Sequence, residues 1–413
     1  MNSSPSPTTI FSRPPRILWA APISLMDTTS GAAITVREIL RQLARRGIEL
    51  SVLGATVYDM PHGITHLGLD LATVDPNVTK INVEDSPLVH ELIRTASTKR
   101  NAMTAEEESI WLSQYHEKLK SFQPDMVCFY GGLLLENMVA NEARHLGIPC
   151  VAYIGNGNYT GERWYRDVSL ILTDSQATAR FYKETQNLDM VPIGKFIDPA
   201  TVLAEQHSRE TLLFINPSLQ KGAAIVAALA ILLATRRPDI RFEVVQSRGD
   251  WNAIVQVVST QLGFPPQPLE NVTLTPNTRD MRPVYSRARL LLAPSLWWES
   301  GPRVTVEAMM NGIPAIVTKR GGNPEWVKDA GLLLELNDEL YEPPYNKIPN
   351  TDFIIQVIDR IIELYDDENC YQTLATKAKQ VGIEYFGSKN IENLLSHLQP
   401  LLAQRAGDSL TER

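Results

Sequence analysis

The stretch RILWAAPISLMDTTSGAAITVREILRQLARRGIELSVLGA, residues 16–55, decides the fold of the first part of the chain. Its opening residues form an apolar run, which is typical of a strand covered on both faces. Residues 34–47 repeat apolar side chains along one helical face and end at Gly47, a common helix stop. The apolar run at 48–55 completes a strand–helix–strand unit, which predicts parallel strands.

The same alternation continues in two runs, and the second run begins at Thr211. Between them, residues 196–210 are polar and irregular, and we interpret them as an inter-domain linker. Repeated strand–helix units predict α/β layers built on parallel sheets. We therefore expect two Rossmann-like domains facing a cleft, with ligands bound beyond the carboxyl ends of the strands.

The composition is that of an ordinary globular protein, with 413 residues, 44% of them hydrophobic, and a formal net charge of −8. A mildly acidic chain has no long-range attraction for nucleic acid, so no nucleic-acid partner is predicted. The three cysteines are widely spaced, which favours buried thiols in a reducing compartment. Residues 1–15 lack the apolar run of a secretory signal and are rich in Ser, Pro and Thr, which predicts a disordered tail on a soluble, cytoplasmic protein.

The strongest chemical signal is PSLWWESGPRVTVEAMMNGIPAIVTKRGGNPEWV, residues 294–327. Glu299 follows a predicted buried strand, and Glu307 lies inside the next helix. The helix start offers free N–H groups and the positive dipole end, which together bind anions. The predicted donor-binding residues at this start are Ser300, Gly301, Pro302, Arg303 and Val304.

Two carboxylates beside such an anion site fit a nucleotide-sugar, which presents a sugar, a diphosphate and a ribose in series. The alternative is a helix-stabilising Glu299 and a solvated Glu307. Glu307, however, sits among Val304, Val306, Ala308 and Met309, and an idle charge is costly among apolar neighbours.

This segment resembles the signature of the family 4 retaining glycosyltransferases: Glu, seven residues, Glu-Ala-Met, then Gly-x-Pro, then Gly-Gly-x-x-Glu. The resemblance implies that Glu299 holds donor-sugar hydroxyls and that the backbone N–H groups of Gly301 to Arg303 also contact the sugar. It also implies that Glu307 holds the nucleotide ribose.

A second signal is FINPSLQKG, residues 214–222, where Lys221 stands at a predicted helix start. The alternative is a surface lysine. The family has Lys-Gly here with an Arg five residues before the Lys, and both cations neutralise the donor diphosphate. In this chain the Arg position is Asn216, and Arg303 could supply the missing charge.

Two loops of the first domain give weaker signals. Gly31, in TTSGAA at 28–33, matches a family loop whose backbone approaches the donor or the acceptor; the alternative is a turn that needs glycine geometry. YIGNGNYTG at 153–161 lacks the His that many family members place near the reacting sugar, and Asn156 and Asn158 are the acceptor-side candidates.

The first predicted helix also carries a basic face, formed by Arg37, Arg41, Arg45 and Arg46. Such a face can dock on anionic lipid, which gives a possible weak peripheral membrane contact; the alternative is a solvated helix face.

The sequence thus predicts the GT-B arrangement, in which the second domain binds a nucleotide-sugar such as a UDP- or GDP-sugar and the first binds an acceptor hydroxyl. Glu299 and Lys221 are the predicted catalytic residues, and no metal or other cofactor is expected. The alternatives are a non-catalytic sugar-nucleotide-binding protein and a sugar-nucleotide epimerase. The predicted parts are a tail at 1–15, domains at 16–198 and 199–385, and a C-terminal helix at 386–413 that packs back on the first domain.

Overall fold

The structure, a computed structural model, describes residues 13–63, 78–385 and 388–411. It divides into two compact units. The first comprises Met1–Asp174, Ala179–Phe196 and Ser388–Arg413, and the second comprises Ser175–Thr178 and Ile197–Gly387. The division after Phe196 falls two residues before the predicted boundary. Most of the predicted tail, residues 1–12, lies outside the described residues, whereas Arg13 pairs with Asp125 at 2.8 Å.

The first unit is built on an eight-stranded sheet with the order β3-β4-β2-β1-β5-β6-β7-β8. Its strands are β1 (Arg16–Ala20), β2 (Glu49–Ala55), β3 (Lys80–Asp85), β4 (Leu88–Ile93), β5 (Met126–Phe129), β6 (Cys150–Ile154), β7 (Leu170–Thr173) and β8 (Val191–Pro192). Its helices are α1 (Gly31–Arg45), α2 (Ala105–Ser121) and α3 (Leu134–His145). A fourth helix, α4 (Gln176–Gln186), begins in residues of the second unit.

The parallel sheets predicted from the sequence are confirmed, with one antiparallel edge in the first unit, where β3 and β4 pair. Only Ser86 and Pro87 separate these strands, too few residues for the crossover that a parallel pair requires. β3 also alternates exposed and buried residues, as a strand with one solvated face does.

The C-terminal helix α12 (Ser388–Thr411) belongs to the first unit. Ile391, Leu394 and Leu398 are buried in the same apolar core as Ile17 and Trp19 of β1. An ion pair between Arg46 and Glu392 adds a polar contact at the edge of this packing.

The basic face predicted on α1 is matched by carboxylates of the same unit. Arg37 and Arg41 both lie 2.5 Å from the buried Asp85. Arg45 lies 3.6 Å from Glu38, and Arg46 pairs with Glu392. These partners cancel most of the positive charge that docking on anionic lipid needs. Among the described residues, no helix is long and apolar enough to cross a membrane.

The second unit is built on a six-stranded parallel sheet with the order β11-β10-β9-β12-β13-β14. Its strands are β9 (Thr211–Ile215), β10 (Arg241–Val245), β11 (Val272–Thr275), β12 (Ala288–Ala293), β13 (Ala315–Thr318) and β14 (Gly331–Leu334). Its helices are α5 (Ala223–Arg236), α6 (Trp251–Leu262), α7 (Arg282–Arg287), α8 (Arg303–Met310), α9 (Asn323–Val327), α10 (Thr351–Asp366) and α11 (Glu368–Glu384).

Helix α8, which carries Glu307, is held by close packing against α11. Gly382 of α11 has no room for a side chain, because a Cβ there would overlap the backbone of Met309 and Met310. The position of Glu307 therefore depends on a glycine 75 residues later in the chain.

Gly382→Ala should lower the free energy of unfolding by about 1–3 kcal/mol, because the added methyl forces α8 and α11 apart. Urea denaturation measures the loss. Gln380→Ala, an exposed substitution on the same helix, is the control and should stay within about 0.5 kcal/mol of the parent protein. A Gly382→Ala protein as stable as this control would contradict the close packing.

Candidate active site

The loop after β12 is fixed by the two glycines that follow β13. A Cβ on Gly321 would overlap the carbonyl oxygen of Glu299, and a Cβ on Gly322 would overlap that of Ser300. Gly322 N donates to Glu299 O at 2.7 Å, and Gly321 has the left-handed φ of 60°. The Gly-Gly of the sequence motif therefore lets the backbone that carries Glu299 pass directly over the next strand end.

Glu299 and Lys221 form an ion pair at the carboxyl ends of the neighbouring strands β12 and β9. Ser295 Oγ donates to the same carboxylate oxygen, Glu299 Oε1, at 2.8 Å. Lys221 Nζ also lies 4.8 Å from the centre of the Trp297 ring. Burial acts to raise the pKa of the Glu299 carboxyl, but Lys221 and the hydrogen bonds outweigh it, so the pKa lies below its ordinary value.

Glu307 is buried and held from two sides. Arg303 Nε lies 2.5 Å from Glu307 Oε1, and the Tyr285 hydroxyl donates to Oε2 at 2.7 Å. Burial beside this carboxylate raises the pKa of Tyr285 well above its ordinary value, so its hydroxyl stays protonated. Since Arg303 is paired with Glu307, the structure gives less support to Arg303 as the replacement for the cation missing at position 216.

The loop after β9 shows why position 216 suits asparagine. Asn216 has φ of 66°, in the left-handed region that Asn tolerates better than most residues. Its Oδ1 accepts a hydrogen bond from Arg248 N at 3.1 Å, which ties the loops after β9 and β10 together. The side chain at 216 thus has a structural partner.

Two further residues of this loop, Ser218 and Lys221, lie in the segment that leads into α5. Lys221 ends a 3₁₀ turn, Leu219–Lys221, directly before the helix. The Ser218 hydroxyl is buried and has no hydrogen-bond partner among the residues that the structure describes. The Ser218 hydroxyl is therefore an unsatisfied hydrogen-bond donor among these residues.

The last Glu of the motif, Glu325, has a backbone-binding role. Its carboxylate accepts from Gln176 N at 3.1 Å and Ala177 N at 2.8 Å, both residues of the second unit. Trp298 Nε1 donates to Thr178 Oγ1 at 3.0 Å in the same segment. Glu325 therefore accepts hydrogen bonds from the free N–H groups at the start of α4.

The first unit contains a separate cavity of about 470 Å³ at the carboxyl ends of β1, β2, β5 and β6. The predicted acceptor-side residues Asn156 and Asn158 both line it. The other lining residues are Ile23, Ser24, Asp27, Ser30, Ala33, Val57, Tyr58, Asp59, Arg100, Tyr130, Gly131, Gly132, Leu133, Glu136, Tyr159, Thr160 and Trp164.

Charged residues of this cavity are fixed by internal hydrogen bonds. Asp27 accepts from Thr29 N at 2.8 Å and from Asp59 N at 2.7 Å. Its burial outweighs these bonds and raises the pKa of its carboxyl. Arg100 binds Glu136 through Nε at 3.0 Å and Nη2 at 3.2 Å, and it binds Glu108 through Nη1 at 2.9 Å.

Gly31 opens α1 between Ser30 and Ala33, both of which line the cavity. A Cβ at Gly31 would meet no atom within 4 Å, and its φ lies outside the left-handed region. The alternative that a turn requires glycine geometry at this position is therefore wrong.

Sequence reasoning missed Asp27, Asp59, Arg100 and Glu136 in the cavity, and Ser218, Tyr285 and Ser295 in the second unit. Gly131-Gly132, in the loop between β5 and α3, is a local signal close to Glu136. The remaining residues are ordinary polar positions whose meeting depends on the fold.

Two Rossmann-like units, with a lysine–carboxylate pair at the strand ends of the second, place the protein in the GT-B class of fold. Solved glycosyltransferase structures match it. Sucrose-phosphate synthase from Thermosynechococcus elongatus is 15% identical, has a TM-score of 0.68, and aligns over 94% of this chain and 99% of its own. HepE from Anabaena, solved in complex with UDP-glucose, is 17% identical, has a TM-score of 0.60, and aligns over 96% and 100%.

Within that class, residues 210–342, all in the second unit, match the family model of the glycosyl transferases group 1. The resemblance predicted from residues 294–327 is confirmed at the level of the group. A curated relative, spore coat protein SA of Bacillus subtilis (strain 168), is 26% identical over 196 residues, which are 46% of this chain. The alignment spans about half the length of that relative, 48%.

Lys221→Met should make stability depend on pH between about 4 and 7. In the parent protein, the folded pKa of Glu299 lies below its reference value of 4.5, so the ion pair stabilises fully above that pH and is lost as pH falls through the folded pKa. Without Lys221, burial raises that pKa, so the variant loses stability as pH rises. The deficit should reach about 1–3 kcal/mol near pH 7.

Urea denaturation at three pH values measures this deficit. The double variant Lys221→Met/Glu299→Gln has no carboxyl at 299 and should lose the extra pH dependence. A deficit that is equal at all three pH values would show that Lys221 does not control the ionisation of Glu299.

Proposed function

We propose that the protein is a retaining glycosyltransferase that moves a sugar from a nucleotide-diphospho-sugar to an acceptor hydroxyl. The observation that carries this proposal is the Lys221–Glu299 pair beside the N-terminus of α8. A cation, a helix N-terminus and an ionised carboxylate at one strand edge suit a ligand with an anionic and a polyol part.

Three groups can donate hydrogen bonds to the diphosphate: the Lys221 ammonium, the N-terminus of α8 and the Ser218 hydroxyl. An ammonium group has three N–H donors, so Lys221 can bind Glu299 and a phosphate oxygen at once. The α8 N-terminus adds free N–H groups and the positive end of the helix dipole. The Ser218 hydroxyl, buried without a partner among the described residues, is the third donor. These groups stabilise the leaving diphosphate without a metal ion.

Glu299 and Glu307 are assigned to the two remaining parts of the donor, the sugar and the ribose. The hydrogen bonds from Lys221 and Ser295 both go to Oε1 of Glu299, and we assign Oε2 to the donor-sugar hydroxyls. Glu307 is assigned to the ribose, with Arg303 and Tyr285 holding the carboxylate in place.

The reaction breaks the bond between the anomeric carbon and the diphosphate oxygen and forms one from the acceptor oxygen on the same face. The acceptor proton passes to the leaving diphosphate oxygen, so no base from the protein is required. Transfer on one face retains the anomeric configuration. UDP-glucose heads the candidate donors, since HepE was solved with it. The acceptor is assigned to the cavity of the first unit.

Glu299→Ala should lower transfer and the slow hydrolysis of the donor by at least about 100-fold, because the sugar loses its carboxylate partner. A panel of UDP-, GDP- and ADP-sugars, read out as released nucleoside diphosphate, identifies the donor. Glu270→Ala removes an exposed carboxylate of the same unit and should keep activity within about twofold.

Full activity in Glu299→Ala would remove this residue from the site. If no donor is hydrolysed but one raises the melting temperature, the protein is a sugar-nucleotide-binding protein. If no donor is hydrolysed and none raises the melting temperature, the proposed donor site is wrong. An inverted product, read from the anomeric proton coupling, would overturn the retaining mechanism.

Lys221→Ala should lower donor turnover by about 100- to 1000-fold, since the leaving diphosphate loses its nearest cation. Chelation with EDTA should leave the rate of the parent protein unchanged. Lys319→Ala, at an exposed lysine of the same unit, is the matched control. A rate that falls with EDTA and recovers with a divalent cation would contradict the metal-independent reaction.

A further inference from the structure

We propose that the cavity of the first unit selects an acceptor without negative charge, a neutral polyol or an amino sugar, and excludes phosphorylated and carboxylated ones. The proposal rests on the proposed function for the identity of this cavity as the acceptor site. Its support comes from the charges, the polar groups and the aromatic rings of the lining.

The lining is acidic. Among the residues that the structure describes, it contains the carboxyl groups of Asp27, Asp59 and Glu136 and one guanidinium, that of Arg100. That guanidinium is already bound by Glu136 through two hydrogen bonds and by Glu108 through a third. Even with Asp27 protonated, the carboxylates of this group outnumber the cation. An anionic ligand meets net repulsion here, because three of the five N–H donors of Arg100 and much of its charge are already engaged by Glu136 and Glu108.

The same lining suits a polyol. Its uncharged polar side chains include those of Asn156, Asn158, Ser24, Ser30 and Thr160, groups that both donate to and accept from hydroxyls. A volume of about 470 Å³ lies within the range of small-molecule sites. The cavity therefore has room and hydrogen-bonding groups for a saccharide.

The lining also contains a buried hydrogen-bond donor, the indole N–H of Trp164. Trp164 is 4% exposed, and its Nε1 has no hydrogen-bond acceptor among the residues that the structure describes. Its ring lies 5.1 Å from that of Tyr159, so the two form an aromatic wall beside the polar groups. A ligand hydroxyl would satisfy the indole N–H, and an amino group would be attracted to the ring faces and to the carboxylates.

The experiment compares matched ligands on the full chain by isothermal titration calorimetry. The pairs are glucose and glucose 6-phosphate, fructose and fructose 6-phosphate, and inositol and its monophosphate, with glucosamine as the aminated member. In each pair that binds, the uncharged member should bind at least about tenfold more tightly, and glucosamine at least as tightly as glucose.

Variants of the lining test whether charge, and not size, causes the preference against phosphorylated ligands. Glu136→Gln removes one of the two carboxylates on Arg100 and should shrink the preference against phosphate by at least about threefold. Glu117→Gln makes the same charge change at an exposed position of α2 outside the lining and should leave the preference unchanged. Because Glu136 is buried, Asp59→Asn at an exposed lining position tests the same point should Glu136→Gln fail to fold.

Tighter binding of a phosphorylated member, or a preference that neither lining variant alters, would overturn the proposal. So would the failure of every member to bind. Donor hydrolysis measured on the same protein reports the second unit separately. Selective ligand binding without any donor turnover would thus contradict the proposed function and leave the charge selection of the cavity standing.

Discussion

The ion pair between Lys221 and Glu299 is the interaction on which the candidate site depends. A buried carboxylate is costly unless a cation and hydrogen bonds compensate it, and here Lys221 and Ser295 both bind one oxygen of Glu299. The two partners come from loops 78 residues apart, after β9 and β12. They meet because those strands are neighbours in a parallel sheet, where carboxyl ends share an edge.

The backbone around this pair is constrained by positions that carry no functional group. Gly321 and Gly322 let the loop of Glu299 lie against the end of β13, and Gly382 lets α11 approach α8. Glu325 and Trp298 hold the segment Ser175–Thr178. Much of the sequence motif therefore acts on backbone geometry, whereas Glu299 and Glu307 are the motif residues assigned to the proposed ligand.

The sequence was informative where local pattern and fold coincide. In the second unit, strand–helix periodicity predicted the order of elements. That Glu299 and Glu307 belong to one ligand site stays a prediction. The sequence did not reveal β3 and β4, where a two-residue connection joins an antiparallel pair. It also failed for Arg100, Glu136 and Glu108, because their ion-pair network joins three segments whose proximity no local spacing encodes.

At Asn216, the backbone conformation of the loop bears on the charge of the proposed site. An arginine there would carry charge to the diphosphate, but the backbone is left-handed and the asparagine side chain is bound to the next loop. Arg303, the other candidate cation, is paired with Glu307. In the proposed site, Lys221 is therefore the cation for both Glu299 and the diphosphate. The three N–H donors of its ammonium allow both contacts. The same lysine lowers the pKa of the Glu299 carboxyl against the effect of burial, so in the proposed site Glu299 meets the sugar hydroxyls as an ionised acceptor.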